Sequence, residues 1–178
     1  RCGKSTLMAL YQQELVERGV AREQILSVNL EDYANYALRD PHKLHAHVLA
    51  QAEKVQGKLY VFLDEIQNVQ DFPPMIDSLF LRPNLDLTIT GSNAYMLSGE
   101  LAGRYVAIEM LPLSFAEYIR FTGDEHDLAR KYRAYLETSS FPYVTELAGD
   151  PKAIEEYLSG IYHTVVLKDV VGRMKTAD

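Results

Sequence analysis

Residues that could bind phosphate stand together near the start of the sequence, as Gly3-Lys4-Ser5-Thr6 after Cys2. A glycine lets backbone N–H groups approach an anion closely, and a helix that begins here would point its N-terminal N–H groups at the same anion. Lys4 could then reach the β- and γ-phosphates of a nucleotide, Ser5 could place its hydroxyl on Mg²⁺, and Thr6 could bind an adjacent phosphate. The group matches the end of the phosphate-binding P-loop pattern G-x-x-x-x-G-K-S/T, which makes it the predicted nucleotide-binding loop.

A second reactive group follows the apolar run at 59–63, which ends in Asp64 and Glu65. Such a run predicts a strand that is buried on both faces, as in parallel sheets, and ligands bind at the carboxyl ends of these strands. We therefore expect Asp64 to hold Mg²⁺, directly or through water, and Glu65 to orient and deprotonate an attacking water. The alternative is a polar strand end that caps a helix, and the lysine–serine pair upstream argues against it.

A third polar group, Ser92-Asn93, follows the next predicted strand. A polar side chain at that strand tip could contact the γ-phosphate or the attacking water, which makes Ser92 and Asn93 catalytic candidates. Serine and asparagine are also among the best helix N-caps, and the local sequence does not separate the two roles.

Alternating helices and strands would position these groups. The predicted order is a helix at 4–18, a strand at 25–30, a helix at 41–57, a strand at 59–63, a short helix at 75–81, a strand at 85–90, a helix at 94–103, a strand at 105–110, helices at 114–121 and 128–137, a loop at 139–142 and a long helix from 151. This order predicts the α/β class, with a P-loop core at 1–112 whose parallel sheet is flanked by helices, and a small helical lid in 113–178. We expect the strand that precedes the P-loop, and the first glycine of its pattern, to lie upstream of Arg1.

Two local patterns predict the buried face of the first helix and the start of the short helix at 75–81. In the first helix, Leu7, Tyr11 and Leu15 recur at i, i+4 and i+8 and predict the face that packs on the sheet. The pair Pro73-Pro74 predicts a break before the short helix at 75–81.

Composition and charge limit the function. The chain has 178 residues, 47% of them apolar, which is enough for one α/β domain and a small addition. A net charge of −7 and a pI of about 5.2 do not indicate a broad basic face for nucleic acid. The single cysteine, Cys2, allows no disulfide within the chain and is either a simple loop residue or a reactive thiol near a helix start. The absence of a possible disulfide fits a reducing cytosol, and no apolar run has membrane length, so we expect a cytoplasmic protein with no membrane partner.

Two further polar groups have weaker chemical interpretations. His42 and His45 could share a helix face and bind a metal, but no second ligand pair has matching spacing, so we interpret them as surface histidines. Glu31 and Asp32 follow the predicted strand at 25–30, and we interpret them as a polar turn.

The assembled motifs resemble those of prokaryotic P-loop ATPases of the AAA+ superfamily that carry a helical lid and a further C-terminal domain. The matching stretches are Arg1-Cys2-Gly3-Lys4-Ser5-Thr6, Phe62-Leu63-Asp64-Glu65-Ile66-Gln67, Ile89-Thr90-Gly91-Ser92-Asn93-Ala94, Gly103-Arg104-Tyr105, Met110-Leu111-Pro112-Leu113-Ser114-Phe115 and Ser140-Phe141-Pro142. The stretch at 111–115 is the most distinctive, because generic P-loop proteins lack it.

The resemblance implies roles for individual residues. It implies Walker A roles for the Gly3–Thr6 stretch, Walker B roles for Asp64 and Glu65, and a sensor at Ser92 or Asn93. Arg104 resembles the arginine that contacts phosphate from the same or a neighbouring subunit, and its alternative is a surface arginine at a helix end. The implied cofactors are ATP and Mg²⁺, and the implied C-terminal domain would follow Asp178.

The leading functional hypothesis is an ATPase that hydrolyses ATP to ADP and phosphate with Mg²⁺ and couples this to movement of the lid or of subunits. Adenine is preferred because no Asn-Lys-x-Asp motif for reading guanine is present. The expected partners are ATP and ADP, further copies of the chain, and DNA or a protein bound through the C-terminal domain. The alternatives are a nucleotide-gated switch with little turnover and an interaction protein with a relic P-loop.

Overall fold

The computed structural model describes residues 2–91, 106–123, 126–138, 140–147 and 150–165. The chain divides into two compact units, one of Gly3–Ile108 and one that includes Glu109–Asp178. The first unit contains a three-stranded parallel sheet with flanking helices, and the described part of the second is helical. The predicted α/β fold class is therefore confirmed.

The described elements have the following bounds in chain order: α1 (Lys4–Glu17), β1 (Ile25–Asn29), α2 (Pro41–Ala52), β2 (Leu59–Asp64), α3 (Phe72–Phe80), β3 (Leu85–Ile89), α4 (Phe115–Thr122), α5 (Leu128–Thr138), α6 (Pro142–Glu146) and α7 (Pro151–Val165). Short 3₁₀ turns lie at Arg22–Gln24, Tyr33–Arg39 and Ile66–Asn68. The predicted helix at 94–103 lies outside the described residues.

The strands follow each other in the order β1-β2-β3, and both pairs are parallel. The register places Asn29 beside Asp64 and Leu63 beside Ile89. The ladder continues past β3, where the Thr90 N–H donates to the Leu63 carbonyl at 2.9 Å. The carboxyl ends of the three strands therefore lie at one edge of the sheet.

The alternation of side chains along β2 divides the core into two clusters. Val61 and Leu63 face α2 and α3, whereas Phe62 packs with Met8 and Leu15 of α1. The cluster on the α2 and α3 face comprises Val28, Leu30, Leu44, Val48, Ala52, Leu59, Val61, Leu63, Ile66, Val69, Phe72, Met75, Ile76 and Leu79. Because alternate residues of a strand share a face, Asp64 falls on the face of Phe62 and α1.

The predicted apolar face of α1 is partly wrong. Leu15 is buried as expected, but its companion in the core is Met8, and both are 6% exposed. Leu7 and Tyr11 are 44% and 40% exposed, although the Tyr11 ring still meets Phe62 edge-to-face at 5.6 Å. Apolar residues occupy several consecutive positions of this helix, so more than one rotation about its axis satisfies the pattern.

The pair Pro73-Pro74 does not break the chain before α3 as predicted. Both residues lie in the first turn of α3, which begins at Phe72 after Asp71 in the left-handed region at φ 49°. The first N–H groups of a helix have no partner within it, so proline loses no hydrogen bond there. The same reasoning applies to α6, which begins at Pro142, where a loop was predicted.

Two other element boundaries differ from the prediction. The α2 helix opens at Asp40, whose side chain accepts from the His42 N–H at 2.9 Å, but it ends at Ala52 rather than near 57. The described part of the predicted strand at 105–110 contains no strand. Val106 and Ile108 are 90% and 76% exposed, and an alternating segment forms a strand only where it pairs and buries one face.

The second unit begins with a capping box at α4. The Ser114 hydroxyl accepts from the Glu117 N–H, and the Glu117 carboxylate accepts from the Ser114 hydroxyl and N–H. These bonds from Ser114 lower the pKa of Glu117. Helix α4 then packs on α5 through aromatic rings, with Phe115 and Tyr132 at 5.0 Å. This helical arrangement fits the predicted helices at 114–121 and 128–137.

We predict that Leu44→Ala destabilises the sheet unit. Leu44 is completely buried between α2 and the sheet, and truncation of a buried leucine costs about 2–5 kcal/mol. Leu81→Ala removes the same atoms from a side chain that is 79% exposed, and its cost should stay within about 0.5 kcal/mol. Urea unfolding of both variants checks this, and equal shifts of the midpoint would contradict the assigned core.

Candidate active site

The start of α1 is shaped by Gly3, which is the N-cap of this helix. Its backbone lies in the left-handed region at φ 89° and ψ 17°, which glycine adopts without a steric cost. The Leu7 N–H donates to the Gly3 carbonyl at 2.9 Å and closes the first turn. Lys4 and Ser5 are therefore the first two residues of a helix whose positive end faces the carboxyl edge of the sheet.

Lys4 reaches across to the end of β3. Its Nζ donates to the carbonyl oxygen of Gly91 at 2.7 Å. An ammonium group has three donors, so two remain available for phosphate oxygens. The contact places the Lys4 ammonium beside Gly91, at the sheet edge where the predicted site residues lie.

Ser5 and Asp64 meet directly. The Ser5 Oγ donates to Asp64 Oδ2 at 2.7 Å, although the residues are 59 positions apart. The other carboxylate oxygen, Oδ1, accepts from the hydroxyl of Thr90. Asp64 is 8% exposed, and the hydrogen bonds that its carboxylate shows come from hydroxyl groups rather than from a cationic side chain.

This set of oxygen atoms fits Mg²⁺. Magnesium prefers hard oxygen ligands and usually takes one or two from protein, with nucleotide phosphates and water completing an octahedron. A buried carboxylate next to a hydroxyl supplies that minimal set. Within the described residues, no group of three or more His, Cys, Asp or Glu side chains is arranged to hold a metal by itself. His45, considered above as a ligand, lies 3.0 Å from the Ser78 hydroxyl and links α2 to α3.

Glu65 is fixed immediately after β2. Its backbone lies in the left-handed region at φ 58° and ψ 50°. Its N–H donates to Thr90 Oγ1 at 3.1 Å, its carbonyl accepts from Asn68 Nδ2 at 3.0 Å, and its carboxylate accepts from Gln67 Nε2. The candidate base is therefore held at its backbone and at its carboxylate.

The remaining predicted residues have different outcomes. Cys2 is a half-buried free thiol, and Thr6 is exposed on the first turn of α1. Ser92, Asn93 and Arg104 lie outside the described residues, so their predicted roles stay predictions.

Sequence reasoning missed two polar residues of the site. Thr90 joins the two acidic residues, because its hydroxyl donates to Asp64 and accepts from the Glu65 N–H. Gln67 binds the Glu65 carboxylate from the turn that follows it. The available signal for Thr90 was a hydroxyl residue at the carboxyl end of a strand next to the acidic strand. For Gln67 the signal was its place two residues after Glu65, at the end of the family-like stretch at 62–67.

Residues 1–119 match the family described as an AAA domain. The chain belongs to this family, which indicates a nucleotide-binding, ATPase-like domain. An uncharacterised protein of Haemophilus influenzae is 35% identical over 185 residues, and the match covers 100% of this chain and 46% of that protein. An uncharacterised protein of Methanocaldococcus jannaschii is 28% identical over 171 residues, and the match covers 85% of this chain and 37% of that protein.

The matches with these relatives cover less than half of either relative's length. The family match therefore identifies a domain within these longer relatives. In the described parts of the chain, we find no helix with the length and apolar character needed to cross a membrane.

We predict that Thr90→Val weakens the site without enlarging the side chain. Valine has the shape of threonine but leaves the Asp64 Oδ1 and the Glu65 N–H without their shared partner. Loss of such a bond from a buried group costs about 1–3 kcal/mol. Thermal unfolding should show a lower Tm for this variant than for Thr88→Val, a control two residues earlier in β3. A Thr90→Val protein as stable as the Thr88→Val control would contradict the bridging role.

Proposed function

We propose that this chain carries the nucleotide site of an Mg²⁺-dependent ATPase that converts ATP and water to ADP and phosphate. The observation that carries the proposal is the contact of Ser5 with Asp64, with the Lys4 amine at the same sheet edge. The nucleotide-binding character of the AAA domain family supports it. An ordinary helix–strand contact would need neither a lysine here nor a buried carboxylate.

In this proposal, binding depends on the start of α1. The N–H groups that follow Gly3 and the Lys4 ammonium bind the β- and γ-phosphates, and Cys2 and Thr6 complete the loop. Ser5 and Asp64 would hold Mg²⁺. When bound, Mg²⁺ neutralises the charge that develops on the phosphate oxygens. Asp64 is already oriented for this task by the hydroxyl groups of Ser5 and Thr90.

Hydrolysis in this proposal uses Glu65 as the general base. The water oxygen forms a bond to the γ-phosphorus, the bond from the γ-phosphorus to the bridging oxygen breaks, and ADP leaves with that electron pair. Glu65 takes the proton that the water loses. Ser92 or Asn93 would contact the γ-phosphate or the water, and Arg104 would stabilise charge on the transferred group.

We also propose that turnover moves the helical part of the chain. In this view residues 1–112 form the core and residues 113–178 form a lid, which responds to nucleotide in a cytoplasmic protein. The coupled partners would be further copies of the chain, or DNA or protein bound by a C-terminal domain. This proposal is supported by the family membership and by the presence of a separate helical unit.

Lys4→Ala in the full-length protein should abolish nucleotide binding, because it removes a cation that lies at the proposed phosphate site. A ligand at about 100 times its Kd stabilises a protein by about 2.7 kcal/mol, which raises its Tm. We expect Mg-ATP to raise the Tm of the wild-type protein and of Lys43→Ala, an exposed lysine on α2, but not that of Lys4→Ala. An undiminished shift in Lys4→Ala would remove this lysine from the site.

Glu65→Gln should separate binding from hydrolysis. The amide keeps the size of the side chain but cannot accept a proton from water, and a general base contributes about 10²- to 10⁴-fold to a rate. We therefore expect phosphate release to fall at least 100-fold while the Tm shift with Mg-ATP persists. Unchanged turnover would exclude Glu65 as the base. Very slow turnover in the wild-type protein, with a clear conformational response to ATP, would instead favour the nucleotide-gated switch.

A further inference from the structure

The side chain of Gln67 contacts the proposed base directly. Its Nε2 donates to Oε2 of Glu65, and both residues are half-buried. The contact is local, because Gln67 lies in the 3₁₀ turn Ile66–Asn68 that begins directly after Glu65. The Gln67 amide nevertheless binds the carboxylate of Glu65 itself, and a hydrogen bond to an ionised carboxylate is stronger than one between neutral groups.

The turn itself is held by other groups. The Asn68 N–H and Asn68 Nδ2 both donate to the Glu65 carbonyl at 3.0 Å, and the Val69 N–H donates to the Ile66 carbonyl at 2.9 Å. The side chain of Ile66 is completely buried in the core. These contacts should keep the turn formed when the Gln67 amide is absent, so its bond to Glu65 is available for another purpose.

That purpose follows from the flexibility of a glutamate side chain. The backbone of Glu65 is fixed by Thr90 and Asn68, but three side-chain torsions separate it from the carboxylate. A base must lie within hydrogen-bond reach of the water that it deprotonates, and small displacements reduce the rate strongly. A donor on one carboxylate oxygen restricts these torsions and leaves the second oxygen for the water.

We propose that Gln67 is a positioning residue that orients the Glu65 carboxylate for proton transfer. This inference rests on the proposed function, because it assigns no chemistry to Gln67 itself. It predicts an effect on turnover that is transmitted only through Glu65. Nucleotide affinity, which depends on Lys4 and Ser5, should not change.

The test is Gln67→Met in the full-length protein, since methionine keeps the length of the side chain and lacks the donor. A hydrogen bond to a charged group corresponds to about 10- to 100-fold in rate, so kcat for ATP should fall by about that factor with KM within about twofold. The matched control is Gln13→Met. Gln13 Nε2 also donates to a glutamate carboxylate, Glu17 at 2.9 Å, but on the exposed side of α1. Its kcat should equal that of the wild type.

A double variant separates positioning from damage to the fold. With Glu65→Gln present, Gln67→Met should cause no further loss in single-turnover hydrolysis, whereas an independent structural role would add its own loss. The inference is overturned if Gln67→Met keeps full kcat, or if its Tm shift with Mg-ATP disappears together with turnover. A wild-type protein that neither binds nor hydrolyses ATP would refute the proposed function, and the role of Gln67 with it.

Discussion

The hydrogen bond between the Ser5 hydroxyl and the Asp64 carboxylate is the contact on which the arrangement of the site depends. It forms because the side-chain alternation of β2 and the starting point of α1 place the two residues at the same edge of the sheet. Alternation along β2 turns Asp64 toward the face where α1 packs through Met8 and Leu15. The helix then begins at the level where the strand ends, which brings its first residues to the acidic end of β2. The apolar packing of α1 on β2 therefore determines which polar side chains meet at the site.

Much of the fold follows from the sequence because its signals are local. The apolar run of β2 predicted a buried parallel strand, and the structure pairs it on both sides. The predicted helix starts at 41 and 114 agree to within one residue with α2 and α4, whose N-caps are Asp40 and Ser114. Caps are readable because they depend on neighbours in the chain, and the buried strand is readable because burial on both faces requires an uninterrupted apolar run.

The errors occur where tertiary packing or position within an element decides the outcome. The orientation of α1 depends on which of its many apolar residues meets Phe62, and the sequence of α1 does not contain that information. The segment 106–110 alternates like a strand but remains exposed at Val106 and Ile108. Pro73 and Pro74 were predicted to break the chain, although in the first turn of α3 they cost the helix no hydrogen bond. In the site, the Ser5–Asp64 meeting was predictable from the motifs, whereas the bridging by Thr90 required the register of β2 with β3.

The left-handed backbone of Glu65 links the proposed chemistry to the energetics of folding. A non-glycine residue in this region costs about 1–2 kcal/mol relative to the right-handed one, and glycine escapes that penalty. Glycine at this position would relax the chain and delete the carboxylate in the same step. Retaining the acid therefore requires the fold to carry a strained residue next to β2, the most buried of the described strands. Glycine at position 65 should therefore raise the free energy of unfolding and remove the proposed activity, and selection for stability alone would not retain a glutamate there.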